Sequence, residues 1–186
     1  LYDFLASTKE ARVKAEPATT FAISADNKQL YVAFRCQDTN VSKLVQNVTT
    51  RDGKLWNGDN VEIFLNFEGP GHTFRRVMLG ASGAVFDAAY LQYGLKEHRW
   101  FDIQGLAGAT NIQTGHWTGE IAIPFAGLAM KSNPPGNWQI NVCRSSQTKK
   151  GARYYLSSWG VLKEKAELNK PNFFPVNIIR ATRAQM

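Results

Sequence analysis

The sequence predicts an all-β protein, an antiparallel β-sandwich of jelly-roll or immunoglobulin-like type with about ten strands and one or two short helical turns. Two observations lead to this prediction. Short runs of alternating apolar and polar residues recur along the chain, and Gly, Pro and Asn turn signals separate them. In the clearest run, Val61, Ile63 and Leu65 share one side of a strand. Glu62 and Phe64 lie on its other side.

The first predicted regular elements form a hairpin. Residues 1–16 show no clear period, so we expect an irregular lead-in of mixed helical and loop character. Thr19–Ser24 is β-branched and aromatic, Asp26–Lys28 is a turn signal, and Gln29–Gln37 alternates, which together predict two paired strands. The stretch 41–48 is compatible with a short helix or with a loop.

The rest of the chain continues this all-β pattern. Predicted strands cover residues 59–67, 72–79, 84–91, 100–103, 109–114, 117–123, 138–145, 153–159 and 173–179. A single helical turn is expected at Pro124–Leu128. Many short strands between Gly, Pro and Asn turns are typical of a sandwich or barrel. Three tryptophans within these strands are expected to pack in the core: Trp117, Trp138 and Trp159.

Length and composition indicate a single globular module, residues 1–186. The chain starts at Leu1, without an initiator Met or a signal-peptide pattern, so we expect a module excised from a larger multidomain protein. No stretch approaches the roughly 20 apolar residues of a membrane span, and no membrane partner is expected. Two cysteines, Cys36 and Cys143, fall in predicted core strands outside any C-x-x-C pair; buried free thiols or a disulfide would both fit.

The chain carries a formal net charge of +7, from 22 Lys and Arg against 15 Asp and Glu. Such an excess favours acidic partners such as an anionic polysaccharide, although it serves solubility equally well. No basic run exceeds two residues, and no zinc-finger, RRM or helix-turn-helix pattern is present, so nucleic acid is not expected to bind.

The sequence offers no support for an enzyme. It contains no G-x-S-x-G, H-E-x-x-H or P-loop motif. Its three histidines, His72, His98 and His116, lack the spacing of metal ligands. We therefore expect a non-catalytic protein.

The most informative pair of residues lies at the start of the clearest strand. Trp56 stands beside the turn signal Asn57–Asp59, where either an exposed aromatic platform or core packing would be reasonable. Glu62 follows six residues later. A ring to stack on and a carboxylate to accept hydroxyl donors are what a sugar requires. The alternative for Glu62 is an internal pair with Arg144 or Arg76.

The run Trp56-x-x-Asp59-x-Val61-Glu62-Ile63-Phe64-Leu65 resembles the signature strand of carbohydrate-binding module family 9 and of the wider DOMON-like group of β-sandwiches. Six further pieces fit in the same order, so the resemblance covers most of the chain. They are Leu30–Phe34, Ser82–Asp87, Trp117–Phe125, Trp138–Arg144, Ser158–Trp159 and Pro171–Phe174.

This resemblance implies non-catalytic binding of an oligosaccharide or polysaccharide, with Trp56 stacking on a sugar and with Glu62 and Asn141 contacting hydroxyls. The second tryptophan with which the family encloses the sugar has no counterpart in the loop Gly160–Pro171. The candidate carbohydrate site comprises Trp56, Asn57, Glu62, Arg75, Arg76, Asn141 and Arg144, and a secondary aromatic patch comprises Trp100 and Phe101.

An acidic glycan is suggested by two adjacent arginines. Where the family carries Arg and Asn on the hairpin strand, this chain has Met78 and Gly80, preceded by Arg75 and Arg76. Strand side chains alternate, so one arginine must point to each face, and Arg76 shares its side with Met78. Guanidinium groups bind carboxylates and sulfates with paired hydrogen bonds.

The resemblance also implies a secreted, periplasmic or cell-surface location, and a monomer tethered to a glycoside hydrolase or polysaccharide lyase. No cofactor is required. A structural calcium ion is compatible with four aspartates at loops and strand ends, although no EF-hand pattern is present. These are Asp26, Asp38, Asp59 and Asp87.

Two other functions remain open from the sequence. Some DOMON-like relatives are b-type cytochromes with Met and His ligands, and Met78 with His72, His98 or His116 would supply that pair. The chain would alternatively be a purely structural accessory sandwich of a glycan-active enzyme.

Overall fold

The computed structural model describes residues 2–3, 5–7, 12–14, 16–67, 73–91, 96–98, 102–128, 138–147, 155–158 and 174–176. These residues form two antiparallel sheets. The smaller sheet has the strand order β1 (Tyr2–Asp3), β4 (Thr19–Ala25), β5 (Gln29–Gln37), β11 (His116–Pro124) and β10 (Ala107–Gln113). The predicted hairpin is therefore confirmed as β4 and β5.

The larger sheet has nine strands in the described part of the chain. Its order is β3 (Arg12–Lys14), β2 (Leu5–Ser7), β13 (Tyr155–Ser158), β12 (Trp138–Ser146), β6 (Asn60–Asn66), β7 (Phe74–Gly80), β8 (Val85–Leu91) and β9 (Lys96–His98), and β14 (Phe174–Val176) also pairs with β12. Among the strands described, nine have four residues or more and five have two or three. The predicted antiparallel sandwich is confirmed.

The structure differs from the sequence expectation at the beginning of the chain. Instead of an irregular lead-in, this stretch contributes the short strands β1, β2 and β3. β1 pairs with β4 and β2 pairs with β13, so the lead-in extends both sheets. Pairing with an existing sheet edge can order a segment that has no period of its own, which is why local sequence did not predict these strands.

Three 3₁₀ turns are present in the described residues: Val41–Lys43, Leu55–Asn57 and Phe125–Leu128. The last confirms the helical turn predicted after β11. The first lies in the stretch for which helix and loop were both open. No helix among the described residues is long and apolar enough to cross a membrane.

The main core lies between the sheets. It takes Val61, Ile63 and Leu65 from β6, which are fully buried, as the alternation predicted. Trp117 from β11 is also fully buried and packs edge-on against Phe34 at 5.3 Å between ring centroids. The core expectation for Trp117 is confirmed, whereas Trp159 and the side chain of Trp138 lie outside the described residues.

A buried ion pair joins the two sheets at one end of this core. Arg144 of β12 points inward with Val142, because residues two apart on a strand share a face. Its guanidinium donates to Asp38 Oδ2 at 3.1 Å and to the backbone oxygen of Gln37 at 2.8 Å. These partners compensate a charge that is fully buried.

The outer face of the larger sheet carries a second apolar cluster. Its members include Phe64 of β6, Met78 of β7, Phe86 of β8 and Cys143 of β12, all at most 1% exposed. β6 is consequently buried on both faces along its whole length. Cys36 belongs instead to the core between the sheets, so the two cysteines lie in different clusters, and both are free thiols.

Candidate functional site

Trp56 lies at the edge of the second apolar cluster. The 3₁₀ turn Leu55–Asn57 carries it into β6, and Leu55, only 2% exposed, anchors that turn. The Trp56 ring is half-buried and meets Phe86 edge-on, with 5.7 Å between centroids and 89° between planes. Trp56 is therefore neither sealed in the interior nor detached from it, and part of its indole remains accessible.

The Trp56 turn is held against a neighbouring loop through two residues. The Asp59 carboxylate accepts the backbone N–H of Val45 at 2.7 Å and that of Gln147 at 3.2 Å. Burial is the main cause that raises the pKa of Asp59 above its ordinary value. At Gly58 a β-carbon would stand 2.6 Å from the Val45 carbonyl oxygen, so only glycine permits this approach.

Glu62 forms the internal pair with Arg76 that the sequence left open. Its Oε2 accepts two hydrogen bonds from Arg76, from Nε at 2.9 Å and Nη2 at 2.6 Å. Ser145 donates to Glu62 Oε1 at 3.2 Å, and Arg76 donates to the Tyr90 hydroxyl at 3.0 Å. Burial is the largest single effect and disfavours the charged guanidinium, but Glu62 and Tyr90 together outweigh it and hold the pKa of Arg76 above its ordinary value.

This network has little free capacity. A carboxylate offers about four acceptor positions, and the Glu62 carboxylate uses three of them within the protein. Glu62 is 1% exposed and Arg76 is 7% exposed. The two charges cancel, so this part of the site presents an electrically neutral pair rather than an open arginine.

The predicted site residues divide between the two faces of the larger sheet. Glu62, Arg76 and Asn141 share the outer face, where Asn141 pairs with Phe64 in the β12–β6 register and is fully buried. Arg75 and Arg144 point the other way. Arg75 donates to the Leu128 carbonyl at 3.3 Å and lies over the Phe67 ring at 5.5 Å.

The remaining predicted residues lie beside the turn or outside the described part. Asn57 is exposed within the Trp56 turn. Trp100 and Phe101 lie outside the described residues, so the secondary aromatic patch stays a prediction. Met78 separates Glu62 from Phe86 in the strand register, which places Glu62 two strands, or about 10 Å, from the residue on which Trp56 packs.

The comparisons with known proteins agree with this architecture. The family model described as "Carbohydrate family 9 binding domain-like" matches residues 4–174. The chain belongs to this family. The resemblance recognised in the sequence is thereby confirmed, and the family is one of carbohydrate-binding, non-catalytic modules.

Solved structures show the same fold. A candidate carbohydrate-binding protein from Bacteroides uniformis is 11% identical, with a TM-score of 0.66 over 89% of this chain and 79% of its own. A family 9 module from Caldicellulosiruptor kristjanssonii in complex with glucose is 12% identical, with a TM-score of 0.64 over 99% and 87%. One in complex with cellotriose from the same organism is 14% identical, with a TM-score of 0.51 over 84% and 71%. No curated protein gave a sequence match.

In this family 9 module, sequence reasoning did not find Tyr90 and Ser145 as partners of the Glu62–Arg76 pair. Both lie on the outer face of their strands. Strand alternation gives the face of a residue, but the partner across the sheet depends on register, which the sequence does not reveal.

The aspartates considered for calcium each have protein partners. Asp26 accepts from the backbone of Lys28 at 2.7 Å, Asp38 pairs with Arg144, and Asp59 holds the Val45 loop. Among the residues that the structure describes, no group of three or more acidic, His or Cys side chains forms a metal site. Calcium binding therefore stays a prediction.

Asp87 belongs to a cluster centred on a cation that the protein itself supplies. The Arg51 guanidinium contacts Asp87 Oδ1 at 2.5 Å and also pairs with Asp52 and Asp102. Asp87 Oδ2 accepts the backbone N–H of Ile103 at 2.8 Å. The cluster thereby ties the segment that leads into the Trp56 turn to β8 and to the loop before β10.

The residues available for haem ligation do not converge in the described structure. Met78 is fully buried on the outer face of the larger sheet, whereas His116 lies in the smaller sheet beside Arg35. His98 is in β9, paired with Ala89, and His72 lies outside the described residues. A Met78–His116 pair is therefore excluded by position.

A depression of about 500 Å³ occupies the outer face of the opposite sheet. Small residues line much of it, among them Ala22, Ala33 and Ala122, with Tyr31 and Glu120 at its sides. None of the predicted site residues contributes to it. It is therefore separate from the surface that bears Trp56.

Replacing Glu62 with Gln tests whether this carboxylate holds the fold. We expect a loss of about 3 kcal/mol or more in the free energy of unfolding in urea, because Arg76 would remain buried without its counterion. The exposed Glu120→Gln should stay within about 0.5 kcal/mol of wild type. The double variant with Arg76→Met should recover part of the loss. A Glu62→Gln protein as stable as wild type would contradict this role.

The raised pKa of Asp87 predicts that the stability of the protein depends on pH. Burial raises its pKa from 3.8 to about 6, so the folded protein binds this proton more tightly than the unfolded chain does. Its stabilising contribution is present below pH 3.8 and is lost as the pH rises through about 6, by up to about 3 kcal/mol. Asp87→Asn should remove this decline, measured as the slope of unfolding free energy against pH.

Asp26→Asn is the matched control for Asp87. Hydrogen bonds from the backbone of Lys28 and Gln29 lower the pKa of Asp26, so its contribution is present at higher pH and is lost on acidification. The two substitutions should change the slope in opposite directions. An unchanged slope in Asp87→Asn would exclude a raised pKa at this position.

Proposed function

We propose that this chain binds a saccharide that stacks on Trp56, and that it holds an attached glycan-active enzyme at its substrate. It would do so outside the cytoplasm, as a monomeric, non-catalytic module. The observation that carries the proposal is the accessible part of the Trp56 indole, which packs edge-on against Phe86 in a family 9 fold. A partly exposed indole offers a flat apolar surface that suits the C–H face of a pyranose.

The polar contacts of the ligand are proposed to come mainly from exposed residues beside Trp56, at the edge of the outer face of the larger sheet. Asn57 is exposed in the same turn as Trp56, and its amide both donates and accepts hydrogen bonds. Glu62 and Asn141 are buried, so hydroxyl contacts to them would need this face to open and existing hydrogen bonds to be exchanged. Exchange gives little net free energy, about 0.5–1.5 kcal/mol for each bond. We therefore expect ring stacking on Trp56 to contribute most of the affinity.

Glucose and cellotriose are suitable first probes, because family 9 modules of the same fold were solved with them. Trp56→Ala should weaken binding of cellotriose at least tenfold by isothermal titration calorimetry, about 1.4 kcal/mol. Far-ultraviolet circular dichroism should show the wild-type fold. Tyr31→Ala, which removes an exposed ring from the other sheet, is the matched control. A Trp56→Ala protein that binds like wild type would refute the proposed platform.

A preference for acidic glycans is a second candidate, supported by the net charge of +7. The two arginines named for it, Arg75 and Arg76, have internal partners: Arg76 is paired with Glu62, and Arg75 donates to the Leu128 carbonyl. Lys54 is exposed and immediately precedes the Trp56 turn, where its carbonyl accepts the Asn57 N–H at 3.0 Å. If the module selects acidic sugars, Lys54 is the cation best placed to contact them.

The salt dependence of binding distinguishes a preference for acidic sugars from a preference for neutral sugars. Binding of trigalacturonate should weaken when the ionic strength is raised with NaCl, whereas cellotriose binding should stay nearly constant, because salt screens charge but not stacking. Lys54→Gln should remove most of this salt dependence. Lys28→Gln, in the hairpin of the opposite sheet, should leave it unchanged. Equal salt responses for both sugars would exclude an acidic preference.

A further inference from the structure

Asn60 is the first residue of β6, and its side chain holds the turn that carries Trp56. Its amide nitrogen donates two hydrogen bonds, to the Leu55 carbonyl at 3.0 Å and to the Gly58 carbonyl at 2.9 Å. These two carbonyls flank Trp56 on both sides of the turn. Asn60 is fully buried, so both bonds are shielded from competing water.

The turn has few hydrogen bonds of its own. Leu55–Asn57 is a single 3₁₀ turn, closed by Asn57 N–H to Lys54 and by Gly58 N–H to Leu55, each at 3.0 Å. Short 3₁₀ segments have poor hydrogen-bond geometry and are only marginally stable alone. The Asn60 amide adds two hydrogen bonds to these two backbone bonds. Both come from β6, a strand that is buried along its whole length.

The oxygen of the Asn60 side-chain amide lowers the stability of the folded state. This oxygen, Oδ1, is buried and has no hydrogen-bond donor in the part of the chain that the structure describes. A buried acceptor without a donor destabilises the folded state, because it has lost its hydrogen bonds to water. A small apolar residue would avoid that cost, but it would also leave the Leu55 and Gly58 carbonyls without the side-chain donor.

We propose that Asn60 is a positioning residue for saccharide binding, which acts by holding the Trp56 ring in its binding orientation before the sugar arrives. This inference rests on the proposed stacking of a sugar on Trp56. Without the amide donors, the turn has more conformational freedom in the ligand-free protein. Binding must then order the turn, and this entropic cost lowers the affinity. Asn60 itself need not touch the sugar.

The test uses the full chain with 5-fluorotryptophan at its five tryptophans. Trp56→Phe identifies the ¹⁹F resonance of Trp56, and buried Trp117 serves as internal reference. In ligand-free Asn60→Ala we expect the Trp56 line to shift and broaden while the Trp117 line stays unchanged. Cellotriose affinity should fall about three- to tenfold, with a more unfavourable binding entropy.

Asn66→Ala is the matched control. Asn66 lies on the same strand and the same face and is 3% exposed, but its amide bonds to Gln139, about 20 Å along the strand from the turn. Its substitution should leave the Trp56 line and the affinity unchanged. If Asn60→Ala fails to fold, Asn60→Asp keeps the side-chain volume and removes the amide donors, with the same expected result.

Two outcomes overturn the proposal. A Trp56 line that is unchanged in Asn60→Ala and Asn60→Asp would show that the amide does not order the turn. A perturbed line with unchanged cellotriose affinity would show that the ordering does not serve binding. Failure of the proposed function is distinguishable, because Trp56→Ala would then bind cellotriose like wild type, or the wild type would not bind it at all.

Discussion

The buried ion pair between Glu62 and Arg76 is the constraint on which the outer face of the larger sheet depends. β6 is buried on both sides, so every polar group on it needs a partner inside the protein. Arg76 supplies two hydrogen bonds to Glu62, and Ser145 and Tyr90 satisfy the remaining sides of the pair. The pair lets charged residues occupy a sheet face whose other members include Phe64, Met78 and Phe86.

In the proposed function, this constraint places saccharide recognition at the edge of the face. Because Glu62 and Arg76 compensate each other, neither offers a strong unpaired group to a ligand. The accessible polar and aromatic groups described on this face lie instead in the Trp56 turn. Besides the Asn60 amide, three contacts position this turn: Leu55 buried beneath it, Gly58 against the Val45 carbonyl, and Asp59 on the Val45 and Gln147 amides. In the proposed function, a partly exposed ring beside an internally paired, electrically neutral surface favours a flat ligand over a charged one.

The sequence predicted correctly to which face of a sheet a side chain points, but it did not predict which residues that side chain contacts. Alternation correctly separated Arg75 from Arg76, and Val61 from Glu62, because side-chain direction on a strand is a local property. It left open whether Glu62 would pair with Arg144 or with Arg76, since that depends on register and on which sheet face Arg144 joins. The hydrogen bonds of Asn60 were not predicted for a similar reason. The turn folds back against the first residue of β6, and no sequence pattern indicates this contact.

The same geometry sets an expectation for affinity. One half-buried ring and a few exchanged hydrogen bonds contribute only a few kcal/mol, from which the entropy of association must be subtracted. A module that acts by itself would therefore bind weakly. A tethered module needs less, because a linker keeps the second partner at an effective concentration in the millimolar range. Weak stacking on Trp56 is thus consistent with a targeting role, provided that the turn is already ordered when the sugar arrives.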